Sequence, residues 1–407
     1  MSKTNGSLTF TRSIQAPIEL VYRAFAKASG LQEWFADLVQ ADAREGGRFY
    51  AYWNSGFYAS GHFLSAVKDK SVAFTWHALG EPAESRVDVT LEAQDQSTDL
   101  TLVHSGLGDS ETWTAARENI EREWQSGLGN LQSVLETGTD KRLYDRPMLG
   151  FFIGGIVDAN LKRRLGLPVD SGVHVEGVVD GMGAQRSGLQ AEDVIYKLDG
   201  REITEFDNLR QALTGRKGGE IIEAVIYRGG QPHTLKVELS KRPVPKFPAE
   251  PKEFSVHLSG VYEELLTALA ANLTEATEQE ASFNPGPGEW NAKETLAHLI
   301  AGFRYNQISW ASQVDDLPAP NYPDESPLIK ALAAEHTAQE LLDQVRSNIQ
   351  VYLRIIAGLP EGFSRRKASY FSMAAGIEDS ERSHFQQHGD QIKAALQAGR
   401  QAGQTSG

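Results

Sequence analysis

Four prolines fall at Pro243, Pro245, Pro248 and Pro251, in the stretch KRPVPKFPAEPK from Lys241 to Lys252. Proline fixes φ and carries no backbone N–H, so at this density no helix or paired strand runs through. The stretch therefore reads as a semi-rigid extended spacer over residues 243–252. A second seam, TGTDKRLYDRP from Thr137 to Pro147, is polar, follows a long amphipathic pattern and closes on a proline. Three segments result: 1–143, 146–242 and 253–400. A chain of 407 residues at about 150 per domain agrees with that division. The fold class expected is multidomain α+β.

Composition narrows the partners. The formal net charge is −14, which repels phosphate backbones and anionic lipid and argues against nucleic acid and membrane surfaces. The two outer segments carry the acidity and the middle one is nearly neutral, so no electrostatic target is common to all three. Cysteine is absent, which removes disulfides, thiolate metal sites and a cysteine nucleophile. A metal here needs His, Asp or Glu. The nearly apolar run Gly150 to Val157 is far short of the ~20 residues of a membrane helix. The first residues have no signal-peptide apolar core. A cytoplasmic protein is the expectation.

In the first segment, Ser7 to Gln15 alternates polar and apolar. PIELVYRAFAKA then reads as a helix with Pro17 in its first turn. After the Gly46–Gly47 turn come five runs rich in β-branched and aromatic residues: 48–53, 58–67, 71–76, 86–92 and 100–104, consecutive antiparallel strands. From Thr114 to Glu136, Ile120, Trp124, Leu128, Leu131 and Leu135 recur at helical spacing. A meander closed by a long helix is a helix-grip arrangement. TRSIQAPIELVYRAFAKASGLQEWF, EGGRFY, GFYASGHF and LTLVHSGLG resemble the START-like superfamily, in particular its heat-shock-protein ATPase activator homologues. The resemblance implies a cavity for a small apolar ligand, or contact with a chaperone or its client. Trp34, Phe35, Trp53, Phe57, Trp76 and Trp124 would line that cavity; the commoner use of such rings is core. His77 and His104 follow strands without partners at metal or catalytic spacing and read as structural.

The second segment reads as a small β-rich unit with two short helices. Strands are expected at GVHVEGVV, DVIYKLDG, EIIEAVIYRGG and HTLKVELS, and helices at AQRSGL and FDNLRQALTG, the latter stopped by Gly215. The order, with AxxSGLxxxDVIxxLDGxxI at its centre, resembles PDZ domains, β-barrel-like in fold, of the bacterial HtrA-protease type. By that resemblance, backbone N–H groups of Leu149, Gly150 and Phe151 receive the C-terminal carboxylate of a partner protein's tail. The peptide adds as a strand beside Phe151–Ile153, and Leu149, Phe151, Ile153, Phe206, Leu209 and Leu213 hold its last side chain. No GxSxG nucleophile setting flanks the segment, so protease activity is not carried over.

The third segment shows four amphipathic stretches, 255–278, 290–313, 336–359 and 377–398, which fit an all-α four-helix bundle. His384 and His388 stand four apart, on one helix face, the spacing of helical zinc sites. By spacing alone the pair is also what chance supplies among ten histidines, and His298, in the apolar setting LAHLI, reads equally as core. EWNAKETLAHLI (Glu289 to Ile300) and HFQQHGDQI (His384 to Ile392) resemble the two signature helices of the DinB-like superfamily. That resemblance implies a divalent metal, zinc or nickel, held by His298, His384 and His388. Many relatives carry a further histidine beside the last one, where this chain has Gln387 and Gly389. Glu294 reads either as a second-layer acceptor or general base, or as a helix-start charge. HExxH and HxxEH are both absent, which disfavours peptide hydrolysis.

Two functional readings follow. One is a binding and adaptor protein that joins tail recognition, an apolar-ligand or client domain and a metal module. The other is a metal-dependent thiol S-transferase or hydrolase with two accessory domains, its catalytic residues not identified.

Overall fold

The computed structural model describes residues 3–4, 6–286, 288–317, 320–322, 324–378 and 382–405. The chain forms two compact units. One joins Met1–Gly138 to Pro245–Gly407, and the other is Thr139–Val244.

In the first unit, β1 (Lys3–Thr4) and β2 (Ser7–Ile14) precede α1 (Ile18–Ala26) and α2 (Ala28–Trp34). Then come β3 (Leu38–Ala41), β4 (Arg48–Tyr52), β5 (Tyr58–Val67), β6 (Ser71–Ala78), β7 (Ser85–Ala93) and β8 (Thr98–Ser105). They make an eight-stranded antiparallel sheet in the order β1-β2-β8-β7-β6-β5-β4-β3. Strand alternation turns Phe10, Phe49, Phe63, Val87 and Leu102 to one buried face. The helix α3 (Glu111–Thr137) lays Ile120, Trp124, Leu128, Leu131 and Leu135 into that core. Ser110 caps its first turn by accepting from the Trp113 N–H, and Gly138 ends it at φ +80°. The helix-grip expectation agrees with this arrangement. The sequence reading did not include α2 and β3. The chain breaks at extended Lys27 and resumes as α2, with Gly30 packed on the Arg23 backbone, where a Cβ would stand 2.3 Å from the Arg23 carbonyl oxygen. β3 is a four-residue edge strand, too short to display a period.

The same unit holds the C-terminal helical region: α8 (Pro251–Leu273), α9 (Glu278–Ala281), α10 (Ala292–Val314), α11 (Ser326–Glu335), α12 (Ala338–Ala357), α13 (Glu361–Ser364), α14 (Lys367–Gly376) and α15 (Arg382–Thr405). Helix α8 packs on α12 and α15, and α10 packs on the same two. Leu258, Tyr262, Leu296, Ile300, Phe303, Val345, Tyr352 and Ile392 share one core. The proline stretch is extended only in its first part. Helix α8 starts at Pro251, where a missing N–H leaves no bond unmade. Phe247 packs on Phe254 and Phe371, with ring centroids 5.5 and 5.2 Å apart.

The outer segments, expected as separate domains, meet through a clasp. Arg23 of α1 donates to both oxygens of Asp316 and pairs with Glu33 of α2. Arg366 donates to Asp316 at 2.6 Å, Ser29 donates to it at 2.9 Å, and Ser369 bonds Glu33. Burial works against the Asp316 charge, but Arg23, Ser29 and Arg366 outweigh it and hold the carboxyl below its ordinary range.

The second unit contains α4 (Lys141–Tyr144), β9 (Pro147–Met148), β10 (Phe151–Ile156), α5 (Ala159–Leu165), β11 (Val173–Val178), α6 (Gly183–Arg186), β12 (Val194–Leu198), β13 (Arg201–Glu202), α7 (Phe206–Ala212), β14 (Ile221–Arg228), β15 (Gln231–Glu238) and β16 (Ser240–Lys241). The main sheet runs β10-β11-β12-β14-β15 with β13 on β12, and β16 pairs separately with β9. The expected strands are present. Besides the two helices read from the sequence, α5 forms between the Asp158 cap, whose side chain accepts from the Leu161 N–H, and Gly166 at φ +62°. Across the described residues, no helix is long and apolar enough to cross a membrane.

Candidate functional site

The geometry of greatest chemical interest lies between α10 and α15. Helix α10 is started by a capping box: Asn291 accepts from the Glu294 N–H at 2.8 Å, and Glu294 accepts from the Asn291 N–H at 3.0 Å. Glu294 thus serves the helix start, and its carboxylate is not a partner of His298. Two turns in from the cap, His298 faces α15, which carries His384 and His388 one turn apart. His384 Nε2 lies 3.2 Å from His298 Nε2 and 2.9 Å from His388 Nε2. One ligand atom from each of the three residues lies within 4.8 Å of the others.

The outer ring nitrogens are also held. His298 Nδ1 bonds Glu325, the residue before α11, and His388 Nδ1 faces Gln391 Oε1 at 2.9 Å. Trp290 closes one side, its ring 4.7 Å from His298 and 6.2 Å from His388. Loss of water, then repulsion from His388 and His298, pushes the His384 imidazolium down to about 4. Burial also lowers His388. The two rings on α15 are thereby favoured in the neutral form that a cation requires. Sequence reasoning had no signal for Glu325, which is 27 residues from His298 along the chain.

The second unit presents a groove. β10 ends the sheet, so among the described residues one of its edges has no neighbouring strand. Leu149 and Leu209 are buried in one apolar cluster, with Phe151 and Leu213 packed against it. Ile153 and Phe206 are not drawn into that cluster and stay exposed, at 47 % and 51 %. Gly150 has φ +86°, and a Cβ there would stand 2.3 Å from Met182 Cβ, so glycine is required on two counts.

In the helix-grip part, Trp34, Phe35, Trp53, Phe57, Trp76 and Trp124 form one connected set of rings. Phe35 stacks on Trp124 at 5.5 Å and touches Trp34 and Trp53 at 5.0 Å each and Trp76 at 6.0 Å. Phe57 stands at the rim against Trp53. The indole N–H groups are satisfied internally: Trp34 by Ala24 O, Trp53 by Phe35 O, Trp76 by Glu81 and Trp124 by His104. These rings pack on one another as core packs.

Comparison with known proteins follows the same division. Residues 15–136 match the family Activator of Hsp90 ATPase homolog 1-like protein, and residues 155–239 match the PDZ domain. A serine protease Do-like HtrA of Bacillus subtilis is 36 % identical over 78 residues, 19 % of this chain and 17 % of that protein. A probable periplasmic serine protease do/HhoA-like of Haemophilus influenzae is 28 % identical over 109 residues, 27 % of this chain and 22 % of that one. The chain thus spans about a fifth of the length of these curated relatives. Among solved structures, an HSP90 activator from Plasmodium falciparum is 25 % identical, covering 32 % of this chain and 96 % of that one, with a TM-score of 0.29. A protein from Chromobacterium violaceum is 26 % identical, covering 32 % and 97 %, with a TM-score of 0.28. The chain contains a helix-grip domain of the Activator of Hsp90 ATPase homolog 1-like family and a PDZ domain.

Proposed function

We propose that the chain is a multidomain adaptor whose C-terminal helices form a four-helix, DinB-like module that holds a divalent metal ion. The convergence of His298, His384 and His388 Nε2 atoms carries this reading. Three imidazole donors suit zinc or nickel by donor type. Support for the adaptor role comes from the PDZ match and the open β10 edge, where a partner's C-terminal tail would add as a strand, and from the Hsp90-activator-like domain as a holder of a client or apolar ligand. Elemental analysis of the purified chain, with binding of C-terminal peptides measured by calorimetry, tests both halves. A metal-free protein removes the metal module, and absence of peptide binding removes the tail-recognition role.

A second reading is favoured by the donor count. The cluster supplies three nitrogens among the described residues, and His384 is exposed, so an ion there would keep a coordination position open to solvent. A bound ion supplies Lewis acidity that lowers the pKa of water or a thiol. This suits a thiol S-transferase or hydrolase, with the His residues as holders of the ion and Trp290 as a wall against which a substrate would lie. Transfer of a thiol to an electrophile, measured for wild type and His384→Ala, separates this reading from the first. Equal rates in the two remove it.

A further inference from the structure

The three-histidine reading leaves open what makes His298 a good donor. We propose that Glu325, steadied by Tyr322, is a positioning residue that fixes His298 for a divalent cation and sets the affinity of the site; the inference rests on that reading. A carboxylate only accepts hydrogen bonds. One Glu325 oxygen takes the Tyr322 hydroxyl at 2.6 Å and the other faces His298 Nδ1. The ring proton of His298 therefore sits on Nδ1, and Nε2 presents its lone pair to the centre of the cluster. Gln391 Oε1 does the same for His388 through Nδ1. Two of the three converging nitrogens are then lone pairs aimed toward His384 Nε2, at 3.2 and 2.9 Å. One proton on His384 can satisfy only one of them, whereas a cation takes all three. The outer contacts thus prepare the triad for a cation more than for a hydrogen-bonded cluster.

Glu325 differs from Gln391 in carrying a charge. Its side chain is 14 % exposed, so that charge is only partly screened and offsets part of a dication's charge through the imidazole. Its placement is also anchored. Tyr322 packs on Tyr305 with ring centroids 4.5 Å apart, and the Tyr305 hydroxyl donates to Pro320 O at 2.9 Å. Tyr305 lies two turns beyond His298 on α10, so one helix carries both the ligand and the anchor of its orienting group. Partners of this kind around a ligating histidine are worth about 10–100-fold in metal affinity.

The test is a zinc titration of the full chain in competition with a chromophoric chelator, on wild type, Glu325→Ala, Glu325→Gln and His384→Ala. Cobalt absorption spectra and melting of the metal-free proteins are recorded alongside. Wild type binds one tight zinc and His384→Ala loses it. Glu325→Ala weakens binding by about 10–100-fold and shifts the cobalt bands, with the metal-free melting temperature unchanged. Glu325→Gln, which keeps an acceptor but no charge, recovers part of the loss and serves equally if the alanine variant does not fold. Wild-type affinity in both Glu325 variants overturns the positioning role. Complete loss in Glu325→Ala, equal to that of His384→Ala, also overturns it, because Glu325 would then be a ligand. Absence of zinc binding in the wild type, or equal binding in His384→Ala, overturns the three-histidine reading itself.

Discussion

His104 shows what a single buried side chain dictates in this protein. It has no exposure and stands between two partners: Trp124 donates its indole N–H to Nδ1 at 3.0 Å, and Nε2 lies 2.7 Å from Ser85 Oγ. With Nδ1 accepting, the proton sits on Nε2 and donates to Ser85, whose hydroxyl passes on to Trp76 O at 3.1 Å. Both nitrogens are used in the neutral ring, and burial pushes the imidazolium down to about 3. The unfolded chain protonates this ring near its ordinary 6.5, so it binds more protons than the fold between the two values. The stability it contributes is present above 6.5 and is lost as pH falls toward 3. We predict that the His104 ring resonances stay those of neutral imidazole at pH 5 and that the urea midpoint of the helix-grip domain drops between pH 7 and pH 4. An imidazolium signal at pH 5 would contradict the assignment. The sequence identified His104 as structural because nothing at catalytic spacing accompanied it. It favoured a helix-start charge for Glu294 over an acceptor role beside His298 and had no view of Glu325. The capping role of Glu294 is local and leaves an N-x-x-E trace; the Glu325 contact is made across 27 residues and leaves none.

Among elements, the long ones were legible and several short ones were not. The apolar stripe of α3, from Ile120 to Leu135, spans about four turns, so its period survives any single residue. Helices α2, α5 and α14 are ten residues or shorter and draw their stability from packing, as when Ala368 of α14 enters the helix-grip core. All six residues of the groove at β10 and α7 were placed by resemblance; Leu149, Phe151, Leu209 and Leu213 come together in one cluster, while Ile153 and Phe206 stand exposed outside it. Gly150→Val forces a β-branched residue to φ +86° against Met182, so we expect loss of peptide binding together with a destabilisation of about 2 kcal/mol or more. Leu213→Glu separates the two effects. It places a charge on the groove wall and should weaken C-terminal peptides about tenfold in calorimetry with the fold retained. Unchanged affinity would remove the groove. A bound ion would likewise tie α10 to α15, so a chelator should lower the melting temperature of the helical region and added zinc should restore it.

At the scale of the whole molecule, composition and seams mark three segments, and the structure gathers the two outer ones into one compact unit. Those share a compact unit because Asp316, at φ +60°, is held by guanidiniums from two parts of the chain far apart in sequence, Arg23 and Arg366. No local pattern announces such a contact. The side chains of Arg23 and Arg366 are 12 % and 7 % exposed, so removing their common partner leaves two poorly solvated cations with Glu33 as the acid left beside them. Asp316→Ala should therefore destabilise this unit by about 3 kcal/mol, the low end for a broken buried pair because Asp316 itself keeps 22 % exposure. Denaturant unfolding followed by tryptophan fluorescence reads this unit, since all seven tryptophans lie in it. A midpoint equal to wild type would show the clasp to be ornamental.

The account turns on an ion at the meeting point of His298, His384 and His388. Elemental analysis of the full chain, purified without chelators or affinity-resin metal, measures it directly. The predicted result is about one divalent ion per chain in the wild type and almost none in His384→Ala. A wild-type protein that stays free of metal after exposure to zinc and nickel, or a variant that retains as much as the wild type, would contradict it.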